Sequence, residues 1–187
     1  MKRIMAVLLA VLMLAGCGLD NAELDRAMKL RAELLASWCS FDAEVTADYG
    51  DKIYSFTLAC QGDSSGNLVF EVTAPESIAG ITGKISDDGG FLTFDGAALA
   101  FELLADGQVS PVSAPWILLR TLRGGYVTAC GAEGEGLRLS VDDSYEEDAL
   151  HLDIWLDSGD LPARAEILWD GRRILAVSVE NFQIQSH

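Results

Sequence analysis

The sequence predicts an α+β fold built mainly of antiparallel strands, on three observations. From residue 39 onward apolar residues recur at every second position in run after run, the period of a half-buried strand. The runs are separated by turn signals such as Asp63-Ser64-Ser65-Gly66, Asp87-Asp88-Gly89-Gly90, Asp95-Gly96 and Asp170-Gly171. Only two stretches carry helical patterning, so the repeated strand and helix alternation of a parallel sheet is absent. About ten strands and two helices are expected, with no internal repeat, low-complexity tract or linker.

The chain opens on MKRIMAVLLAVLMLAGCG. Lys2 and Arg3 form a basic start, Ile4 to Leu14 an apolar segment, and Leu14-Ala15-Gly16 a small-residue exit, the anatomy of a secretory signal. Its eleven apolar residues fall short of the roughly 20 that span a bilayer. The ending L-A-G-C resembles a bacterial lipoprotein lipobox. That resemblance implies cleavage after residue 16, a diacylglycerol thioether on Cys17 and a palmitate-type acyl group on its amine. Residues 1–16 are thus expected to be the signal peptide, 17–20 the lipid attachment and tether, and 21–187 one domain on the extracytoplasmic face of the cell membrane.

Loss of Lys2 and Arg3 leaves eleven basic against 29 acidic residues, a net charge of −18. Such a surface repels nucleic acid and anionic headgroups, so attachment falls to the lipid on Cys17. Half of the chain is apolar and 22% is charged, the composition of a folded protein.

A helix is expected from a capping box at Asp20 and Glu23 to about Ala36. Its stripe would comprise Leu24, Ala27, Met28, Leu35 and Trp38, with Leu30 and Leu34 beside it, laid on the domain or on the membrane surface. Cys39, Phe41, Ala43, Val45 and Ala47 then alternate with polar residues, as do Tyr54, Phe56, Leu58 and Cys60. A two-residue turn at Tyr49-Gly50 would pair Val45 with Tyr54, Ala43 with Phe56, Phe41 with Leu58 and Cys39 with Cys60. That register favours a Cys39–Cys60 disulfide; Cys60–Cys130 and no disulfide are the alternatives.

Further strands are expected over 68–72, 81–85, 91–94 and 98–103. Ser113 as N-cap, Pro115 in the first turn and Gly124 as stop then frame a helix through Trp116-Ile117-Leu118-Leu119-Arg120-Thr121-Leu122-Arg123. Being apolar on nearly every side, it must be buried or must cover an apolar cavity. Strands return over 126–130, 137–141, 150–156, 163–169 and 172–184.

Chemical motifs are weak. There is no nucleophile elbow, no H-E-x-x-H, no phosphate loop and no dinucleotide fingerprint. GAEGEG at 131–136 reads as a turn. His151 and Asp153 share a strand face, as a base and its orienting acid or two metal ligands would, but a solvated outer face accounts for them. The run Asp142-Asp143-Ser144-Tyr145-Glu146-Glu147-Asp148 lacks the ligand spacing of a calcium loop and reads as a hairpin loop. No cofactor, no metal site and no catalytic residue are assigned, and the protein is read as non-enzymatic.

The order of elements resembles the lipoprotein-carrier superfamily of LolA and LolB, especially the LolA-like lipoproteins of spore-forming Gram-positive bacteria. The residues that carry it are Ser110-Pro111, Ala114-Pro115, Leu118 to Leu122, Pro162 to Ile167 and Val177 to Phe182. The resemblance implies a curved, unclosed antiparallel sheet, a half-barrel, with an N-terminal helix and a short apolar helix covering its concave face. It also implies an apolar cavity that holds acyl chains. Phe41, Val45, Phe56, Leu58, Phe70 and Phe101 would line it, under a lid of Trp116, Leu119 and Leu122. A hydrophobic ligand such as a lipid or acyl chain is the first reading, and an interaction module for an envelope or sporulation protein is the second. Packing of the same side chains as a dry core is the structural alternative.

Overall fold

In a computed structural model, residues 22–50, 52–101, 104–105 and 108–185 are described. Helix α1 (Ala22–Ala36) leads into β1 (Trp38–Asp48), β2 (Ile53–Gly62), β3 (Leu68–Ala74), β4 (Thr82–Ser86), β5 (Gly89–Phe94) and β6 (Ala97–Phe101). A small ribbon, β7 (Leu104–Ala105) with β8 (Gln108–Val109), precedes α2 (Ala114–Gly124). The chain closes with β9 (Tyr126–Glu133), β10 (Gly136–Asp142), β11 (His151–Leu156), β12 (Pro162–Trp169) and β13 (Arg172–Gln185). The predicted signal, Cys17 and the Asp20 cap lie outside the described residues.

Eleven strands form one antiparallel, unclosed sheet in the order β6-β5-β4-β3-β2-β1-β13-β12-β11-β10-β9. The chain starts at the centre and meanders out to β6. It crosses by way of α2 to the opposite edge at β9 and meanders back until β13 pairs with β1. Both helices belong to one face, whose apolar rows follow the ladder. One row runs Phe56, Val45, Val177, Ala165, Ile154, Leu139, Cys130 across seven strands. This is the α+β architecture with two helices expected from the sequence.

The expected β1–β2 register is displaced. The Tyr49 N–H donates to the Lys52 carbonyl at 3.0 Å, and Asp48 pairs with Ile53. Val45 therefore faces Phe56, Ala43 faces Leu58, Phe41 faces Cys60, and Cys39 faces Gly62. A shift of two keeps every side chain on its expected face, and hydrophobic alternation cannot distinguish the two registers. It does separate the cysteines: Cys39 and Cys60 are both free. They are diagonal neighbours, on the order of 7 Å apart in such pairs, beyond disulfide reach.

Two helix expectations also change. The buried stripe of α1 is Ala27, Leu30 and Leu34, whereas Leu35 and Trp38 are 51% and 43% exposed. The cause is the position of α2 and β9, which α1 packs against. Ser113 occupies the N-cap position of α2, as expected, but its side chain makes no capping hydrogen bond. It already belongs to a 3-10 turn, Pro111–Ser113, and its hydroxyl donates to the Ser110 carbonyl at 2.6 Å. Burial of α2 itself follows the sequence, with Arg120 its main exposed side chain.

Strand β13 carries a bulge. Ser40 pairs with Gln183 but Asp42 pairs with Glu180, and Asn181 sits at φ 54°. The extra residue lets Phe182 and Ile184 rejoin the face of Leu175, Val177 and Val179. Phe182 then stacks on Phe41 with ring centroids 5.2 Å apart.

Close strand packing gives one stability test. A Cβ at Gly136 would overlap the Leu156 carbonyl oxygen, a backbone atom that no rotamer change can move. Gly136→Ala is expected to lower stability by about 1–3 kcal/mol, read as a lower urea midpoint.

Candidate functional site

The nine side chains expected to line a cavity do converge on the helix-bearing face. Phe41, Val45, Leu58, Phe70, Trp116, Leu119 and Leu122 are each at most 4% exposed and belong to one core cluster, with Phe56 and Phe101 packed at its margin. The contacts are tight. A Cβ at Gly62 would lie 2.7 Å from Leu119 Cδ1 and 3.0 Å from Cys39 Sγ. The Trp116 indole donates to the Gly66 carbonyl at 2.9 Å, fixing the start of α2 against the β2–β3 turn. Desolvation raises the pKa of Cys39 and pushes that of Cys60 well above the usual thiol value, as an apolar interior requires. Around these residues the space under α2 is occupied by protein.

Open surfaces lie elsewhere. On the helix-bearing face, α2 covers the row Cys39, Gly62, Leu68, Ile85, and Phe101 lies over Gly90. Toward the other end of β5 and β6 the apolar face is bare. Leu99 is 65% and Phe94 54% exposed there, and Phe91 on the opposite side of the ribbon is 58% exposed. Among the described residues, strand β6, Ala-Ala-Leu-Ala-Phe, is a sheet edge with no charged residue, bulge or proline to blunt it. The other edge, β9, has α1 packed against it.

A hollow of about 280 Å³ lies beside the β1–β2 and β12–β13 turns, lined by Tyr49, Val109, Trp169, Ile174 and Leu175 with Asp48, Asp170 and Arg172. A larger depression, about 670 Å³, lies on the sheet face away from the helices. Two rows of side chains cross it: Gln183, Ser40, Gln61, Val69, Lys84, Phe91, and beside them Asp42, Ala59, Glu71, Thr82, Thr93. Asn181, placed by the bulge, donates to Asp42 at 2.8 Å at one end. Neither hollow was expected from the sequence. The only signal was the break in alternation at Glu180-Asn181-Phe182, which marks the bulge.

The rest of that outer face, over β9–β13, is a network of paired charges. Arg138 donates to Asp153 at 2.9 Å and lies over Trp155, Ser140 donates to Asp153 at 2.7 Å, and Glu166 accepts from Arg164 and Arg173. Desolvation works against ionised Asp153, but the hydrogen bonds from Ser140 and Arg138 outweigh it and hold the carboxyl below its usual pKa. His151 Nδ1 is 2.7 Å from Asp142, and its Nε2 is 3.7 Å from Asp153. The pair thus belongs to this ladder. Among the described residues no cluster of three metal-ligating side chains occurs, and no helix is long and apolar enough to cross a membrane.

No protein-family model and no curated protein matches the chain. Among solved structures, the chain is similar to an uncharacterized conserved protein from Thermus thermophilus, at 13% identity and a TM-score of 0.48, covering 89% of this chain and 87% of that one. It is similar to a LolA superfamily protein from Nitrosomonas europaea, at 6% identity and a TM-score of 0.44, covering 86% and 94%. It is also similar to a chain in the complex of the CwlD amidase with the GerS lipoprotein from Clostridioides difficile, at 12% identity and a TM-score of 0.44, covering 90% and 98%. At such identities the likeness is one of fold alone.

The free cysteines give a direct check. In a Cys17→Ala protein, half-buried Cys130 is expected to react first with Ellman's reagent, and Cys39 and Cys60 only after denaturation. Three thiols in denaturant and one in the native state would match this structure; a single thiol in both would restore the disulfide.

Proposed function

We propose that this protein is a non-enzymatic, lipid-anchored envelope protein that engages an extended segment of a partner protein along β6. The observation that carries the reading is the contrast between a filled interior and a bare apolar edge. Addition of a strand uses the free backbone groups of an edge for affinity and alternate side chains for specificity. Strand β6 offers both, with Leu99 and neighbouring Phe94 exposed on the helix-bearing face. Strand β6 itself carries no charge, on a chain of net charge −16.

The anchor supports the same reading. Helix α1 is in place by Ala22, so a lipid on Cys17 would hold the domain within roughly 17 Å of the bilayer. Membrane-bound partners then come within reach.

The small hollow at Tyr49 and Trp169 favours a second reading, a compact hydrophobic ligand on the helix-bearing face. At about 280 Å³ it falls just below the range of about 300–1,000 Å³ for small-molecule sites. A lipid recovered stoichiometrically in organic extracts of purified protein would favour this reading over the first.

Two measurements test the proposal. A photo-crosslinking residue at Leu99 is expected to give a discrete protein adduct in intact membranes, whereas one at exposed Thr73 gives none, and Leu99→Lys is expected to prevent the complex without lowering the thermal midpoint. Equal labelling from both sites would refute the edge assignment. For the anchor, wild-type protein is expected in the detergent phase of a Triton X-114 partition and Cys17→Ala in the aqueous phase.

A further inference from the structure

The outer face of the sheet divides into two chemically different halves. Over β9–β13 its charges are consumed by one another: Arg138 by Asp153 and Arg173 by Glu166. Over β1–β5 lies the 670 Å³ depression, whose charged groups Asp42, Glu71 and Lys84 form no ion pair among the described residues. Gln61, Glu71, Lys84 and Gln183 make no side-chain hydrogen bond or ion pair among the described residues.

We propose that this trough is a binding site for a neutral oligosaccharide, independent of the β6 edge. Three features select that chemistry. The trough supplies donors and acceptors together: amides from Gln61 and Gln183, carboxylates from Asp42 and Glu71, and an ammonium from Lys84. Sugar hydroxyls both donate and accept, so a polyol can satisfy all of them. Phe91, 58% exposed, supplies a flat apolar surface at one end, where the C–H face of a pyranose ring can stack. Crossing from β13 to β5, the trough is about 24 Å long at the usual strand spacing, room for several sugar units in a row.

Its other end is organised in advance. The bulge at Asn181, with φ 54°, puts the Asn181 amide against Asp42 at 2.8 Å. That bond fixes two planar groups side by side and leaves one oxygen of each to accept. A bulge of this kind re-aims a side chain next to a site.

Charge and backbone exclude the competing occupants. Two carboxylates against one ammonium, on a chain of net charge −16, repel anionic polymers. A peptide adding as a strand would need unpaired backbone, and every strand under the trough is paired on both sides.

The test uses the full-length protein in a sugar-free detergent, with cellotetraose and chitotetraose as probes. At least one is expected to give saturable heat on titration, little changed by salt, with saturation transfer to its ring C–H protons. Phe91→Ala and Asp42→Ala are each expected to weaken binding at least about tenfold, while Asp153→Asn on the other half of the face leaves it unchanged. Matching thermal midpoints show that the variants remain folded. Absence of saturable binding to both probes, binding that survives both trough substitutions, or binding to tetralysine that salt abolishes would each overturn the proposal.

Discussion

The pairing of β1 with β13 is the constraint on which the fold depends. Each half of the sheet is a local meander of hairpins, and neither half covers its apolar face alone. Their junction runs from Trp38 opposite Gln185 to Ala47 opposite Leu175, joining the first strand of the domain to its last. Phe41, Ala43, Val45 and Ala47 are buried along this seam with Leu175, Val177 and Val179. Because the partners are far apart in sequence, closing the seam costs chain entropy that only extensive apolar burial offsets.

The two helices seal that seam and fasten each other. Arg31 of α1 donates to the carbonyls of Leu122 and Gly125 at 2.7 and 2.8 Å, at the C-terminal end of α2. Arg123 of α2 donates to the Leu34 carbonyl at 3.0 Å, near the end of α1. Each helix thus supplies the cation that satisfies unpaired carbonyls of the other, a charge placement suited to both dipoles. On the exposed side Arg120 reaches toward Asp87 and Asp143, which lie on opposite halves of the sheet. A helix held at so many points closes the interior with side chains in van der Waals contact.

Alternation made the two faces legible in the sequence, and the all-round apolar character of α2 made its burial legible. The nine candidate residues do share one face. Whether such a group forms a cavity or a packed core depends on how closely α2 approaches the sheet, and pattern carries no distance. Gly62 shows the difference: it is one small residue in the sequence, and the point where Leu119 seats in the structure. The β5–β6 ribbon escaped notice because Phe91, Phe94 and Leu99 look like ordinary strand residues until the covering helix is seen to stop short of them.

The sequence by itself determined the class of fold and the side of the sheet to which most strand residues belong, because these rest on composition and on a period of two. The tertiary structure decided register, disulfide chemistry and the location of open surface. A displacement of two residues preserves every face while changing every partner, so Cys39 meets Gly62 and the cysteines remain free. The break in alternation at Glu180-Asn181-Phe182 marks a bulge, but only the long-range pairing with β1 brings Asn181 to Asp42. Shape arises where distant strands and helices meet, and for that reason both hollows came into view only with the folded chain.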